Sequence, residues 1–438
     1  MKQTEIDSVA DTLIPDDWEV KSLGEVATIV GGGTPSTLNS AYWNGDIQWF
    51  TPAELSDSKK YVSKSERTIT ERGLKESSAK LLPKGTVLLT TRASIGITAI
   101  LENPASTNQG FQSLIAKNNC CSEFLYYVIP LIKDEMLSRA SGSTFAEISA
   151  KKLSTITFQL PPLPEQQRIA KALSDVDALI STTEKLIQKK KNIKQGAMQN
   201  LLTGKKRLPG FGPQTKFPAY KQTELGLIPD DWEVKSLGEI FEFRPNNTFT
   251  RDCLNDSKGK YQNVHYGDVL IKYPSILDCS KETIPFINEG INVKFSKYGI
   301  VEGDIIIADT AEDETVGKVV EVFNLGEKKI VSGLHTFLCR KITDDFAPKW
   351  LGYFMNQPIF HNQLLPFITG TKVSAISRTA IQNVKVLIPS KEEQTAIANV
   401  LSSMDKEIET LNTKLEKYRN LKTAMMQQLL TGKIRLVK

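Results

Sequence analysis

Two acidic segments contain the residue types that nucleases use to bind a metal ion. Residues 15–21 read PDDWEVK, and the same seven residues recur 214 positions later. A nuclease of that kind places an Asp on one strand and a Glu-x-Lys on its neighbour. Only two residues separate Asp16 from Glu19, which leaves no room for a hairpin between them. We therefore interpret the segment as a turn followed by a strand, in which Trp18 and Val20 pack inward.

Other residue types that perform chemistry are sparse. The chain has three histidines and five cysteines without a C-x-x-C pair, so neither a His-based triad in each half nor a structural zinc site is predicted. The sequence also lacks the phosphate-binding patterns GxxxxGK[ST] and GxGxxG and the NPP[YF] tetrapeptide of adenine methylases. We therefore predict no catalytic residues, no metal and no cofactor in this chain.

Length and composition describe a globular protein of more than one domain. The 438 residues are 40% hydrophobic and 24% charged, and the net charge of +5 permits nucleic-acid binding without requiring it. Few and unpaired cysteines are typical of a reducing compartment. No apolar run reaches the roughly 18 residues of a membrane span, and the N-terminal segment does not read as a signal peptide. We expect a cytoplasmic protein.

The chain is a tandem repeat of two long modules. The thirteen residues LIPDDWEVKSLGE occupy 13–25 and 227–239, and the stretch LLTGK lies at 201–205 and 429–433. The sequences between these shared segments diverge. Solenoid repeats run to only about 20–50 residues, so each copy is a whole module of one design.

The divergent bodies read as mixed α/β structure. Strands are predicted at 86–90 and 304–308, after glycine-containing turns. Further strands are predicted at 155–160 and 383–388, where apolar and polar residues alternate and proline follows. Each body therefore ends in a strand that leads directly into the tail of its module.

Each tail reads as a long helix whose apolar residues recur at coiled-coil spacing. A helix of about 40 residues extends roughly 60 Å, too far for one domain to cover, so we expect the two helices to pair antiparallel. Gly204 and Gly432 follow them as C-terminal caps. The predicted seam comprises Leu173, Val176, Ile180, Ile187, Leu201, Leu401, Met404, Ile408, Leu411, Leu415, Met425 and Leu429.

These elements predict an α+β fold. Two mixed α/β domains in a pseudo-twofold arrangement would be joined by two long antiparallel coiled-coil helices. The predicted parts are the first domain (1–160), the first helix (161–204), a Gly-, Pro- and Lys-rich linker (205–226), the second domain (227–388), the second helix (389–432) and a C-terminal tail (433–438).

The ordered, doubled set of motifs resembles the specificity subunit of type I restriction–modification systems over nearly the whole chain. Besides IPDDWEVKSLGE and LLTGK, each copy has a G-[ST]…I-S…[LI] stretch, at 142–153 and 370–381. The junction LPPLPEQ at 160–166 fits the same pattern. Its counterpart PSKEEQ at 389–394 lacks the double proline but retains the start of the helix.

This resemblance implies that each divergent domain is a target-recognition domain that reads one half of a split double-stranded DNA site. It implies that the helices set the spacer and dock two modification subunits, which bind S-adenosylmethionine and methylate adenine. Restriction subunits would join them, with ATP and Mg²⁺ on the partners. The chain itself would be a non-catalytic specificity subunit without a cofactor or a membrane contact.

Residues that contact DNA should lie on loops. Base reading needs hydrogen-bonding side chains, and phosphate contacts need cations, hydroxyls and free backbone N–H groups. In the first domain we select Thr34, Ser36, Arg92, Ser94, Asn108, Gln109, Ser143 and Thr144. In the second domain we select Arg244, Asn246, Asn247, His335, Thr371, Lys372 and Arg378. Gly142 and Gly370 would let the backbone approach a phosphate. A solvated loop or a satisfied turn is the alternative for each residue.

Two other classes of function stay open at this point. A fused nuclease or methylase would show metal- or cofactor-dependent activity as the pure chain. An architectural coiled-coil protein would bridge DNA or protein partners without sequence preference. Random-sequence DNA would then compete as well as any selected site.

Overall fold

The chain folds as two units that each take part of both repeats. The computed structural model describes residues 15–56, 59–92, 94–142, 146–212, 219–370 and 373–437. Unit 1 comprises Met1–Glu184 and Thr413–Lys438, and unit 2 comprises Lys185–Asn412. Each unit therefore contains one body, the beginning of one long helix and the end of the other.

The body of unit 1 is built around a five-stranded sheet. The strands are β1 (Glu19–Ser22), β2 (Ala27–Gly31), β3 (Trp43–Phe50), β4 (Tyr61–Val62), β5 (Arg67–Ile69), β6 (Val87–Leu89), β7 (Thr98–Leu101), β8 (Ser106–Thr107), β9 (Gln112–Ala116) and β10 (Thr157–Leu160). The order is β2-β9-β6-β7-β4, with β4 parallel to β7 and the other pairs antiparallel. A smaller sheet has the order β5-β3-β8, and β1 pairs with β10.

The body of unit 2 has the same central topology. Its strands are β11 (Tyr220–Thr223), β12 (Gly226–Pro229), β13 (Glu233–Ser236), β14 (Phe241–Arg244), β15 (Leu254–Asn255), β16 (Gln262–Val264), β17 (Ile276–Asp278), β18 (Phe286–Ile287), β19 (Ile305–Ala308), β20 (Thr310–Ala311), β21 (Val319–Phe323), β22 (Ile330–Ser332), β23 (Thr336–Lys341), β24 (Ser374–Ala375) and β25 (Lys385–Ile388). The central sheet has the order β14-β23-β19-β21-β17, with the same parallel and antiparallel pairings as in unit 1. Two divergent sequences therefore form one topology.

Short helices surround these sheets, and two long helices follow the bodies. The short helices are α1 (Leu23–Val26), α2 (Glu71–Lys75), α3 (Ser122–Val128), α4 (Lys133–Arg139), α5 (Ala150–Ser154), α7 (Leu237–Ile240), α8 (Tyr266–Ile271), α9 (Phe295–Tyr298), α10 (Trp350–Phe354), α11 (Pro358–His361) and α12 (Arg378–Asn383). The long helices, α6 (Leu163–Leu201) and α13 (Lys391–Leu429), have 39 residues each. The predicted α/β bodies and paired long helices are thus confirmed.

The long helices run antiparallel within each unit, as ion pairs between them show. In unit 1, Lys422 Nζ lies 2.7 Å from Asp177 Oδ1, and Arg419 Nη2 lies 2.8 Å from Glu184 Oε1. Residue numbers on α13 fall as those on α6 rise. In unit 2, Lys190 and Lys194 of α6 pair in the same way with residues 407 and 405 of α13.

Burial along the long helices follows the coiled-coil spacing. Every position of the predicted seam is buried or half-buried, whereas Leu179, which lies off the seam, is 44% exposed. In unit 1, Leu173 and Leu429 belong to one hydrophobic core with the body. In unit 2, Leu201 and Leu401 do so. The cores of the bodies therefore continue into the helix pair.

The repeated DDWEVK segment forms the predicted turn and strand in both units, at β1 and β13. Trp18 is 5% exposed, and its counterpart Trp232 is fully buried. The expectation that Val20 packs beside Trp18 is wrong, because Val20 is 56% exposed. Trp18 belongs to the turn before β1, so strand alternation does not place the two side chains on one face.

Candidate nucleic-acid interface

Most of the residues selected in the first domain lie at one edge of the central sheet. The loops after β2 and β6 and the loop before β9 meet there, because these neighbouring strands are antiparallel. These three loops are named edge 1. Edge 1 contains Thr34, Ser36, Arg92, Ser94, Asn108 and Gln109.

Hydrogen bonds join the three loops of edge 1. The Thr34 hydroxyl donates to Gln109 Oε1, which links the first loop to the third. The amide of Thr91 donates to the carbonyl of Gly110 at 2.9 Å, which links the second loop to the third. Gln109 itself is exposed. The edge is therefore a connected frame that leaves polar side chains at its surface.

Two buried tryptophans hold the first loop of edge 1 from beneath. Trp43 Nε1 donates to the carbonyl of Ser36 at 3.0 Å, and Trp49 Nε1 donates to that of Gly33 at 2.9 Å. The two rings pack edge to face with centroids 5.1 Å apart. These contacts use the indole groups for positioning and leave the Ser36 side chain exposed.

A fourth segment, around residue 147, also reaches edge 1. Arg92 forms an isolated β-bridge with Glu147, and its Nε lies 3.2 Å from the Glu147 carboxylate. Both side chains are more than a third exposed. Gly142 in this segment has φ +130°, a conformation that glycine tolerates best. Ser143 and Thr144 lie outside the described residues.

The second body presents the corresponding edge, named edge 2. It consists of the loops after β14 and β19, the turn before β23 and the segment around β24. Asn246 Nδ2 donates to the carbonyl of Gly333 at 3.0 Å, which joins two of these loops. Arg378 is exposed, and its Nη2 donates to the carbonyl of Phe243 at 2.9 Å. Arg244 ends β14 beside them.

Two of the residues selected in the second domain are not among those that the structure describes. Thr371 and Lys372 lie outside the described residues. The adjoining Gly370 has φ +111°. It corresponds to Gly142 at the repeat offset, so both edges have a left-handed glycine at the same place.

Asn247 differs from its predicted role. It is 1% exposed, and its Nδ2 donates to Asn263 Oδ1 at 2.7 Å and to the carbonyl of Ser332 at 2.6 Å. Its Oδ1 accepts from the amide of Phe249 at 3.0 Å. Both polar atoms of the side chain are engaged in these bonds, which fix the loop after β14. The side chain therefore has no polar group available to DNA.

His335 lies in the turn immediately before β23. It does not lie within a strand, because β23 begins at Thr336. Its φ is +55°. A backbone hydrogen bond to its carbonyl shows which residue of unit 1 it corresponds to. The amide of Asp309 donates to the carbonyl of His335 at 3.1 Å, as Thr91 does to Gly110 in unit 1. Gly110 and His335 therefore occupy equivalent positions.

Arg207 and Arg435 were not among the residues selected from the sequence. Each binds a buried glutamate at the start of a long helix. In unit 1, Arg435 Nη2 lies 2.8 Å from Oε2 of the buried Glu165, which also accepts from Trp18 Nε1 at 3.1 Å. Burial acts to raise the pKa of Glu165, but the hydrogen bonds from Arg435 and Trp18 outweigh it and lower that pKa. The repeated LLTGKxRL pattern marks both arginines in the sequence.

Metal-binding clusters and membrane-spanning helices are absent from the part of the chain that the structure describes. No group of three or more His, Cys, Asp or Glu side chains there could hold a metal ion. No helix there has both the length and the apolar character needed to cross a bilayer.

Two α/β bodies of one topology, each with hydrogen-bonding loops at the same sheet edge, define a protein built from a duplicated domain. The type I restriction modification DNA specificity domain matches residues 15–194 and again 229–417. The chain belongs to this family and contains two copies of its domain.

Known relatives agree with this assignment over nearly their whole length. The type I restriction enzyme MjaIX specificity subunit of Methanocaldococcus jannaschii is 28% identical, covering 97% of this chain and 95% of the relative. The MjaVIII specificity subunit of the same organism is 27% identical, with coverages of 97% and 94%. The crystal structure of the type I restriction–modification S subunit from M. genitalium has a TM-score of 0.56 at 13% identity. It covers 96% of this chain and 97% of its own. At that identity the likeness shows the fold.

Proposed function

We propose that this chain is the specificity subunit of a type I restriction–modification complex, and that each edge reads one half of a bipartite site in double-stranded DNA. The proposal rests on one observation: edge 1 and edge 2 have the same backbone hydrogen-bond pattern but different side chains at equivalent positions. Gly110 and His335 are equivalent in the hydrogen-bond pattern of the two edges. So are Arg92 and Thr310, which form corresponding bridges with residues 147 and 375. Two different half-sites require this combination of common geometry and distinct chemistry.

We propose further that the paired helices set the spacer between the two halves and dock two modification subunits. Apolar side chains off the seam support a docking role, because Leu179 and Leu421 of unit 1 and Ile193 of unit 2 are 44%, 46% and 47% exposed. The modification subunits would supply S-adenosylmethionine-dependent adenine methylation. Restriction subunits would supply the ATP- and Mg²⁺-dependent steps. The chain would contribute sequence selection and assembly, without catalysis of its own.

The experiment is to co-express the chain with a modification subunit from the same genome and map N6-methyladenine in the host DNA. We expect a split motif with two short fixed halves and a constant, unread spacer. Replacing residues 26–150 with the equivalent body of another specificity subunit should change one half, and replacing 240–380 should change the other. A stable complex that binds DNA without preference would contradict the proposal and favour an architectural role.

A further inference from the structure

His335 holds a backbone conformation that few residues with a side chain adopt. Its φ of +55° lies in the left-handed region, which is unfavourable for residues other than glycine. The equivalent residue of unit 1 is Gly110. The His335 side chain is 46% exposed. The turn before β23 therefore brings an imidazole to edge 2 at the cost of backbone strain, which is a common feature of functional positions.

Two neighbours determine which ring nitrogen of His335 carries the proton. The Thr310 hydroxyl donates to Asp309 Oδ1 at 2.7 Å. Because its proton is engaged there, Thr310 Oγ1 accepts from His335 Nδ1, 3.2 Å away. Asp309 Oδ1 lies 3.4 Å from the same nitrogen. Both neighbours are acceptors, so the neutral imidazole carries its proton on Nδ1 and Nε2 is an acceptor.

Aromatic packing sets the orientation of this ring. Tyr266 packs edge-on against the His335 imidazole, with centroids 5.3 Å apart and an interplanar angle of 79°. Tyr266 in turn lies against the buried ring of His265, 4.6 Å away between centroids. Among the residues that the structure describes, none hydrogen-bonds His335 Nε2. The ring is thus preorganised, with its acceptor nitrogen unused by the protein.

We propose that His335 is a specificity-determining residue of the second half-site, and that its Nε2 accepts a hydrogen bond from the exocyclic amine of adenine or cytosine in the major groove. Adenine N6 and cytosine N4 are donors there, whereas guanine N7 and O6 and thymine O4 are acceptors. A fixed acceptor pairs with the first two bases and repels the others. This inference rests on the proposed half-site reading and adds the base class that one side chain selects.

The test is the variant His335→Gly in the full chain, bound to its modification subunit, with selection of binding sites from random-sequence duplexes. Glycine adopts a φ of +55° readily, so the turn should persist in this variant. We expect one position of the second half-site to lose a preference for adenine or cytosine of about five- to tenfold, the effect of one hydrogen bond to a base. The first half-site should be unchanged.

A second variant separates the tautomer from the mere presence of the ring. In Asp309→Asn the neighbouring side chain can donate to Nδ1 and shift the ring proton to Nε2. The same position should then lose its preference for adenine or cytosine while the ring is still present. If wild type selects guanine or thymine there, or if His335→Gly leaves every position unchanged, the inference is wrong and half-site reading stands. If wild type selects no motif at all, the proposed function itself fails.

Discussion

Arg207 binds Glu393 through two hydrogen bonds across 186 residues of sequence, with Nε 2.8 Å from Oε1 and Nη2 2.5 Å from Oε2. Arg207 follows the end of the first long helix, and Glu393 begins the second. In unit 1, Arg435 and Glu165 form the same pair with the repeats exchanged. Each unit is therefore closed by residues from both repeats, which holds the start of one helix to the end of the other.

The first prediction concerns the stability of this closure. Glu393 is fully buried, and Arg207 is 10% exposed at its side chain. Arg207→Ala leaves a buried carboxylate without its cation, so the unfolding free energy of unit 2 should fall by about 3 kcal/mol. Denaturant titration followed by tryptophan fluorescence measures this, because Trp232 donates to Glu393 at 3.0 Å. Lys391→Ala, which removes an exposed ion pair with Asp344 and a hydrogen bond to its backbone carbonyl, is the control and should have little effect. Equal losses in the two variants would contradict the closure.

The second prediction concerns acid sensitivity. The pKa of Glu165 is held below its ordinary 4.5 by its hydrogen-bond donors, although burial opposes this. The unfolded chain then binds more protons than the folded chain as pH falls below about 4.5, so stability is lost in that range and is fully present above it. Glu165→Gln should flatten the dependence of the unfolding free energy on pH between about 6 and 3. Identical slopes in wild type and variant would contradict the prediction.

The repeat made the helices and several strands predictable, whereas the partners of individual side chains were not. Identity at a fixed offset and coiled-coil spacing place α6 and α13 to within a few residues. Arg207 and Arg435 are related by the same offset, but no neighbouring sequence pattern indicates that each arginine binds a glutamate at the start of the other helix. The burial of Asn247 depends on Asn263, a partner brought close only by the sheet. Long-range pairing therefore sets the part of the candidate interface that sequence patterns do not predict.

The third prediction separates the two edges. Arg92 and Arg378 are exposed cations at edge 1 and edge 2. Arg92→Ala should weaken binding to the cognate site about tenfold and relax only the first half of the motif, whereas Arg378→Ala should affect only the second half. Titrations with duplexes mutated in one half at a time measure this. Lys171→Ala removes a highly exposed cation from α6 and serves as the control. A uniform loss for both halves in either edge variant would assign that arginine to phosphate contact instead.

The fourth prediction concerns the matched glycines of the two edges. Gly142 and Gly370 have φ values of +130° and +111°. A Cβ at Gly370 would lie 2.0 Å from the carbonyl oxygen of Val373, so alanine there must displace the loop. Gly142→Ala should therefore impair reading of the first half-site and Gly370→Ala that of the second, with helical content by circular dichroism unchanged.

The control for this pair is Gly196→Ala, in the interior of α6. A Cβ there meets nothing within 4 Å, and alanine favours the helix over glycine by about 1 kcal/mol. This variant should raise the unfolding free energy and leave DNA selection unaltered. If the edge variants retained both half-sites, the left-handed turns would be structural features of the loops rather than part of the DNA interface. Since the two glycines are equivalent by the repeat, an effect at one edge alone would show that the bodies use this turn differently.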